Sequence, residues 1–335
     1  MRLSALSKTS AIIKGNDLEE RSVYSADPLN RGDIRPDLFL DLNLLWEPRM
    51  NMVSTPELSS ATTLTVAPST SIIGAEVSGV DLREPLTSEL SAELRRLLCR
   101  HKVLFFRDQA LDTAQQVAFC RNFGSILLCP SLHGEHPATK GVHVVAGNAG
   151  EQPADGGRKT GVWHIDASGL VAVPFVSVLR AIRIPPVGGD TVWANLAAAY
   201  DGLSNDLKRT VNDLIITHHA TKVLGDRSVD YPFISHPLVR IHPETGEKVL
   251  YISFMVDPVV VGWSREESDK LVQKLREETT RPEYQVRFRW SPGAIAVADN
   301  RAVHHYAVAD YGDSPRLLER VLITEPELPL VEQII

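Results

Sequence analysis

Short apolar runs separated by turn residues follow one another along the chain from about residue 70 onward. Val103–Phe106 predicts a short buried strand, and residues 175–184 predict a longer one that ends at two prolines. Residues 317–324 predict a further strand near the C-terminus. Val239–Ile241 and residues 249–252 flank a Pro-Glu-Thr-Gly turn, which is typical of a β-hairpin.

Helical patterns are fewer. Leucines recur at helical spacing across residues 89–101, which predicts an amphipathic helix. Asp112 is a candidate N-cap of a second helix that should stop near Gly124, and Ser264 begins the capping box of a third. On the second helix, the residues expected to face the core are Ala114, Val117 and Ala118. Strands outnumber helices and do not alternate with them, so the pattern predicts a β-sandwich or jelly roll with helices packed outside.

Two segments lack such periodicity. Residues 1–68 are rich in Ser, Thr, Asn, Asp and Pro, and we predict a disordered N-terminal extension before a single domain at 69–335. Met50 and Met52 stand near the end of this extension, so one hypothesis is that translation starts there and that residues 1–49 are absent from the native protein. Residues 125–162 contain several prolines and glycines and predict a lid or binding loop.

Composition narrows the class of protein. The chain has 335 residues, of which 43% are hydrophobic, which is enough for a large core. A net charge of -7 without a Lys/Arg block argues against a nucleic-acid partner. Three widely spaced cysteines suit a reducing cytosol, and no apolar run predicts a membrane span or a signal peptide. We therefore expect a cytoplasmic protein with neither a nucleic acid nor a membrane as partner. The oligomeric state, including a homo-oligomer, stays open.

The candidate chemistry lies in two histidine segments. His164 and Asp166 are separated by one residue, so on a strand both side chains would face the same side. A histidine from a distant strand, at the His304-His305 pair, would complete a set of two imidazoles and one carboxylate. This set leaves one face of iron(II) open, which suits a chelating co-substrate and O2. A His-x-Asp pattern alone is weak, since it recurs by chance.

The sequence around the second segment gives the pattern its specificity. Asp299-Asn300-Arg301 precedes His305 and Ala307, and Asp310-Tyr311, Arg316 and Arg320 follow. Together with the upstream His-x-Asp, this pattern resembles the taurine dioxygenase/TfdA family of Fe(II)- and 2-oxoglutarate-dependent dioxygenases. Further matches are Gly188-Gly189-Asp190-Thr191, residues 74–82 and residues 102–109. The resemblance covers residues 70–326 and implies a mainly β fold with flanking helices, namely the cupin-like double-stranded β-helix, or jelly roll.

The resemblance implies roles for individual residues. His164, Asp166 and His305, rather than His304, would be the iron ligands. Arg316 would clamp the distal carboxylate of 2-oxoglutarate, a planar group that a guanidinium fork matches well.

Three further residues receive roles in the same way. Thr191 would donate its hydroxyl to the carboxylate that Arg316 binds. Arg320 would lie near the co-substrate and the anionic end of the primary substrate; the alternative is a structural ion-pair partner. For Trp163 two roles stay open, a border of the substrate pocket or core packing.

The implied reaction uses Fe(II), 2-oxoglutarate and O2 to hydroxylate an unactivated C–H bond, with release of succinate and CO2. Residues 129–132 read Cys-Pro-Ser-Leu where taurine dioxygenase has the His and Tyr that grip the sulfonate. Taurine is therefore a poor candidate, and a relatively apolar organic acid, sulfate ester or secondary-metabolite intermediate fits better. The alternatives are desaturation or cyclisation by the same machinery, a zinc-dependent hydrolase with the same ligands, and a non-catalytic relative.

Overall fold

The computed structural model describes residues 64–129, 134–147, 161–171, 173–218 and 234–325. Strands predominate in these ranges. They are β1 (Thr65–Pro68), β2 (Ala75–Ser78), β3 (Val103–Phe106), β4 (Ser125–Ile126), β5 (Glu135–His136), β6 (Thr139–Gly147), β7 (Val176–Arg183), β8 (Thr191–Asn195), β9 (Ile215–His218), β10 (Ile234–Pro237), β11 (Val239–Ile241), β12 (Lys248–Leu250), β13 (Val259–Val260), β14 (Gln285–Phe288), β15 (Ile295–Asp299), β16 (Val303–Ala307) and β17 (Arg316–Thr324). The helices are α1 (Ser88–His101), α2 (Thr113–Cys120), α3 (Leu196–Asp201), α4 (Asn205–Val211) and α5 (Arg265–Thr279).

The largest sheet has nine strands. Eight of them follow the order β1-β2-β3-β15-β7-β17-β6-β5, and β4 pairs with β17. All pairs are antiparallel except β2 with β3. Strands from both ends of the described chain are therefore neighbours, and this sheet forms only when distant segments meet.

A smaller sheet with the order β14-β8-β16 packs on one face of the large sheet. The large sheet contributes Phe105, Leu179 and Ala296 to the layer between them, and the small sheet contributes Trp193 and Phe288. The rings of Phe105 and Phe288 stack with their centroids 4.2 Å apart. Two mainly antiparallel sheets that face each other across an apolar layer form a jelly roll, which confirms the predicted fold class.

Helices α1 and α2 cover the opposite face of the large sheet. Alternation along β15 shows why the sheet is apolar on both sides, because Ile295 and Val297 face these helices while Ala296 and Ala298 face the small sheet. The helix residues buried against it are Leu94, Leu97, Leu98, Val117, Phe119 and Cys120. None of the helices in the described ranges is long and apolar enough to cross a membrane.

Most predicted elements are confirmed to within a few residues. β3 has the predicted bounds, and α1 begins one residue before the predicted start. The β11–β12 hairpin forms in antiparallel register. At the start of α5, the Ser264 hydroxyl accepts a hydrogen bond from the Glu267 N–H, and the Glu267 carboxylate accepts one from the Ser264 N–H. This is the predicted capping box.

Two boundaries are wrong. Residues 125–162 are not one long loop, because β6 occupies nine of them and pairs with β17 from Val142↔Val321 to Gly147↔Arg316. The prolines and glycines on either side of β6 conceal this strand in the sequence. The predicted extension of residues 1–68 also ends too late, since β1 begins at Thr65 and pairs with β2. Its remainder, residues 1–63 with Met50 and Met52, lies outside the described residues.

On α2 the predicted inward residue Val117 is buried as expected, but Ala114 and Ala118 are not, and the helix ends at Cys120 rather than near Gly124. Ala114 and Ala118 are exposed, whereas Gln116 is fully buried. The Gln116 side-chain oxygen accepts a hydrogen bond of 2.8 Å from Arg180, which pairs with Glu319 at 2.7 Å. Apolar spacing cannot indicate that Gln116 is buried beside Val117, Phe119 and Cys120, because Gln116 is polar and is buried to satisfy the Arg180 guanidinium.

Candidate active site

His164 and His305 face each other in a single antiparallel bridge. The His164 N–H donates to the His305 carbonyl at 2.9 Å, and the His305 N–H donates to the His164 carbonyl at 2.8 Å. His305 belongs to β16, whereas a turn begins at Asp166 and Ala167 has a φ of 52°. The predicted strand through His164 and Asp166 is therefore reduced to one bridge. Even so, both side chains face the same centre.

Three potential metal ligands meet at this bridge. Nε2 of His164 lies 3.8 Å from Oδ1 of Asp166, and Nε2 of His305 lies 3.9 Å from Oδ2. The donor atoms all lie within 4.8 Å of one another, and all three residues are buried. Nδ1 of His164 donates to the Val162 carbonyl at 2.8 Å, since a carbonyl can only accept, and this leaves the Nε2 lone pair for a metal.

The protonation states of these groups suit a metal. Burial lowers the pKa of both imidazoles, to about 3 for His305, so both are neutral near pH 7. Burial would raise the pKa of Asp166, but the Arg320 guanidinium and the two imidazoles outweigh it, so the pKa is held well below its usual range. Two neutral imidazoles and an ionised carboxylate are a donor set that iron(II) accepts, with positions left for a co-substrate and O2.

The Asp166 side chain and backbone are both held by neighbours. The Ser177 hydroxyl donates to Oδ2 at 2.7 Å, and the Arg320 guanidinium donates to Oδ1. The Asp166 N–H donates to the Asn300 side-chain oxygen at 3.0 Å, and the Asn300 amide donates back to the Asp166 carbonyl at 2.9 Å. Asn300 thus braces the carboxylate segment. Ser177 was missed by sequence reasoning, since it stands in an apolar strand without a motif.

We expect Ser177→Ala to lower the iron(II) affinity by about tenfold, in the range typical of residues that orient metal ligands. The carboxylate of Asp166 would keep its charge but lose the hydrogen bond that fixes one oxygen. Anaerobic titration with iron(II) measures the effect. Ser253→Ala is the matched control, because Ser253 is equally buried but accepts from the backbone of Ile165 and does not touch the carboxylate. Equal affinities in the two variants would contradict the prediction.

Arg316 and Thr191 form a second buried group. Arg316 donates through Nε to the Gly189 carbonyl at 2.8 Å and through Nη2 to the Thr191 hydroxyl at 3.2 Å. Trp290 donates to the same hydroxyl at 3.0 Å, so the hydroxyl proton of Thr191 is left to be donated elsewhere. Gly189 has a φ of 73°, and a Cβ there would lie 3.1 Å from Cδ of Arg316. The glycine therefore allows the guanidinium to approach, and the pair suits a carboxylate.

Arg320 lies on the same face of β17 as Arg316 but is directed at the metal-ligand cluster. One of its nitrogens donates to Asp166, and Nη2 lies 3.1 Å from Nδ1 of His143. The sequence placed Arg320 near the co-substrate and the anionic end of the substrate. The structure adds that it is a partner of the candidate ligand carboxylate itself.

Trp163 and His304 lie on the other side of the bridge, away from the two candidate ligand imidazoles. Their rings are 4.6 Å apart, and Tyr306 and Phe254 complete an aromatic group around them. His304 belongs to this group and is fully buried. Of the two roles left open for Trp163, these contacts favour packing over a border of the substrate pocket.

We expect acid to destabilise the metal-free protein partly through His304. Burial lowers the pKa of His304 to about 3, whereas a histidine in the unfolded chain titrates near about 6.5. As the pH falls below about 6.5, the unfolded chain binds more protons than the folded one, so stability decreases until the pH reaches the folded pKa. The urea concentration at the midpoint of unfolding should therefore decrease when the pH is lowered from about 7.5 to about 5. The decrease should be smaller in His304→Phe, which retains an aromatic ring but cannot bind a proton. If the midpoints of the wild type and of His304→Phe changed equally with pH, His304 would not contribute to acid destabilisation.

One other group in the described ranges has ligand spacing, namely Cys99, His242 and Asp299. It does not suit a metal. Nε2 of His242 donates to Asp299 at 2.8 Å, and Nδ1 accepts from two backbone N–H groups. Burial also raises the pKa of the Cys99 thiol to about 12, which disfavours the thiolate that a metal would need.

The fold and the site together define the class of protein, an iron- and 2-oxoglutarate-dependent oxygenase. Comparison with known proteins agrees, because the family model described as "Taurine catabolism dioxygenase TauD, TfdA family" matches residues 65–322. The chain belongs to this family and is a 2-oxoglutarate-dependent dioxygenase that uses Fe(II) and O2. The resemblance, the enzyme class and the cofactors expected from the sequence are thereby confirmed.

Three similar proteins illustrate the match. An alkylsulfatase from Acinetobacter baylyi is 36% identical over 268 residues, covering 75% of this chain and 82% of the relative. An alpha-ketoglutarate-dependent sulfate ester dioxygenase from Pseudomonas putida is 36% identical over 277 residues, covering 78% and 89%. The crystal structure of a taurine dioxygenase from Burkholderia xenovorans is 38% identical with a TM-score of 0.69, covering 78% of this chain and 91% of that one.

Proposed function

We propose that His164, Asp166 and His305 bind the iron of this dioxygenase, and that Arg316 with Thr191 binds the distal carboxylate of 2-oxoglutarate. The observation that carries the proposal is the convergence of the three buried donor atoms within 4.8 Å of one another. The enzyme is proposed to be cytoplasmic and to act on a free small molecule.

When bound, iron, 2-oxoglutarate and O2 together supply an oxidant able to break an unactivated C–H bond, with succinate and CO2 as co-products. The protein holds the reactants in place. Arg316 presents a guanidinium fork to the distal carboxylate, and the free hydroxyl proton of Thr191 is donated to the same group. Because Arg316 is only 3% exposed, water competes little for these hydrogen bonds.

The proposed primary substrate is a small, mainly apolar organic anion, with an alkyl sulfate ester as the first candidate. Arg320 supplies a cation beside the metal-ligand cluster. The apolar residues grouped near it are Leu127, Cys129 and Leu322, with Ala167 and Leu170 packed against them. Two of the similar proteins are named for sulfate esters. Hydroxylation of the carbon that bears the ester oxygen would give an unstable adduct, which loses sulfate and leaves an aldehyde.

A screen of hexyl sulfate, phenoxyacetate and taurine with iron(II) and 2-oxoglutarate tests the proposal. We expect succinate to form fastest with hexyl sulfate, together with sulfate and an aldehyde, and only when O2 is present. Taurine as the best substrate would refute the substrate class. Sulfate release without O2 would indicate a hydrolase, and a product that has lost two hydrogens would indicate desaturation or ring closure instead of hydroxylation.

A further inference from the structure

A buried histidine lies beside Arg320 on the neighbouring strand of the large sheet. His143 on β6 is the register partner of Arg320 on β17, so both side chains lie on the same face of the sheet. Nδ1 of His143 lies 3.1 Å from Nη2 of Arg320, and Nε2 lies 3.2 Å from the carbonyl oxygen of Cys129. His143 is 1% exposed, so water does not replace these partners. The residue falls in the segment that the sequence assigned to a loop, and no motif pointed to it.

The two partners of His143 determine its tautomer. A guanidinium has only N–H donors, and a carbonyl oxygen only accepts. Nδ1 must therefore accept from Arg320, and Nε2 must carry the proton and donate it to Cys129. Burial and the charge of Arg320 lower the pKa of His143 to about 4, so the imidazole stays neutral.

Arg320 keeps an unused donor beside this pair. Two of its nitrogens are taken by Asp166 and His143, whereas Nε is buried and has no hydrogen-bond partner among the described residues. A buried donor without an acceptor costs about 1–3 kcal/mol. An oxygen atom of an anionic ligand would satisfy it. Apolar residues belong to the same region, since Leu322 follows Arg320 by two residues on the same face of β17 and Cys129 is the other partner of His143.

We propose that His143 is a positioning residue that holds the Arg320 guanidinium ready for the anionic group of an otherwise apolar substrate. The inference rests on the proposed function, since it deepens the role of Arg320 in the same site. Without His143, Asp166 remains the only partner of Arg320 among the hydrogen bonds described above. The guanidinium would then turn fully to that carboxylate and be withdrawn from the substrate. His143 thereby contributes to the preference for an anion over a neutral molecule.

The test compares His143→Phe and His143→Gln with the wild type, each loaded with Mn(II) and 2-oxoglutarate without turnover. Calorimetry gives Kd for hexyl sulfate, for neutral 1-hexanol and for 2-oxoglutarate. In His143→Phe we expect Kd for hexyl sulfate to rise about tenfold, as for loss of one charge-assisted hydrogen bond. The other two Kd values should stay within about twofold. Glutamine can accept through one side-chain atom and donate through the other, so His143→Gln should retain most of the affinity.

The outcomes separate this inference from the proposed function. An unchanged Kd for hexyl sulfate in His143→Phe would overturn the inference. Equal weakening of all three ligands would also overturn it, because it would assign His143 to packing. The inference would also be overturned if the wild type bound 2-oxoglutarate but not hexyl sulfate. Failure of the wild type with iron(II) and 2-oxoglutarate to give the metal-to-ligand charge-transfer band would instead refute the proposed function.

Discussion

Replacing Asp166 by alanine should lower kcat at least about a thousandfold, more than the 10–100-fold typical of residues that only support metal ligands. The change removes the single anionic donor and leaves two neutral imidazoles. It also leaves the Arg320 guanidinium, whose side chain is 11% exposed, without its carboxylate. An unpaired cation beside the site would repel a divalent metal as well. The loss is measured as succinate formation and as anaerobic iron(II) affinity.

A second change distinguishes loss of the site from loss of the fold. Asp166→Ala should also be destabilised, because a buried guanidinium has lost its partner. Adding Arg320→Met removes that charge and should restore part of the thermal stability without restoring succinate formation. If Asp166→Ala kept more than about a tenth of the wild-type turnover, the assignment of Asp166 as a metal ligand would be wrong, since a lost ligand costs more than that.

Replacing Arg316 by lysine should raise KM for 2-oxoglutarate about a hundredfold, equivalent to nearly 3 kcal/mol of binding free energy. Lysine keeps the charge but loses the fork that can bind both oxygens of a carboxylate. It also removes the hydrogen bonds to Gly189 and Thr191 that hold the guanidinium in place. At saturating 2-oxoglutarate, kcat should fall much less, because the reacting carbon is at the other end of the co-substrate.

The matched control for this effect is Arg289→Lys. Arg289 is exposed, and its guanidinium donates only to the Pro186 carbonyl among the hydrogen bonds that the structure gives it. KM for 2-oxoglutarate should change less than about twofold in that variant, as is usual for surface substitutions. An unchanged KM in Arg316→Lys would mean that the co-substrate carboxylate is bound elsewhere.

Local sequence determines those elements whose signals lie within a few residues. The four apolar residues of β3, the leucine spacing of α1 and the capping box at Ser264 each depend on contacts within one turn or one strand. The His-x-Asp spacing is also a local signal, because it involves residues only two positions apart. It places both side chains towards one centre even though the surrounding backbone is a single bridge and a turn rather than a strand.

Non-local contacts explain what the sequence did not predict. β6 is stabilised by pairing with β17, and the turn residues on either side of it say nothing of that distant partner. The burial of Gln116 on α2 follows from the need of Arg180 for a polar neighbour. Ser177 was missed because its function lies in one hydrogen bond to a carboxylate from another segment.

By itself the sequence determined the jelly roll through its strand pattern. Its resemblance to the taurine dioxygenase/TfdA family implied the class of protein, the cofactors and the candidate residues of the metal and 2-oxoglutarate sites. Such a resemblance is visible in the sequence, because a ligand set and a carboxylate clamp each require particular side chains at particular spacings. Only the tertiary structure decided that Arg320 contacts Asp166, that His143 lies opposite Arg320, and that Trp163 packs on the far side of the bridge. Those relations depend on which strands become neighbours, and pairing between distant strands has no local signature in the sequence.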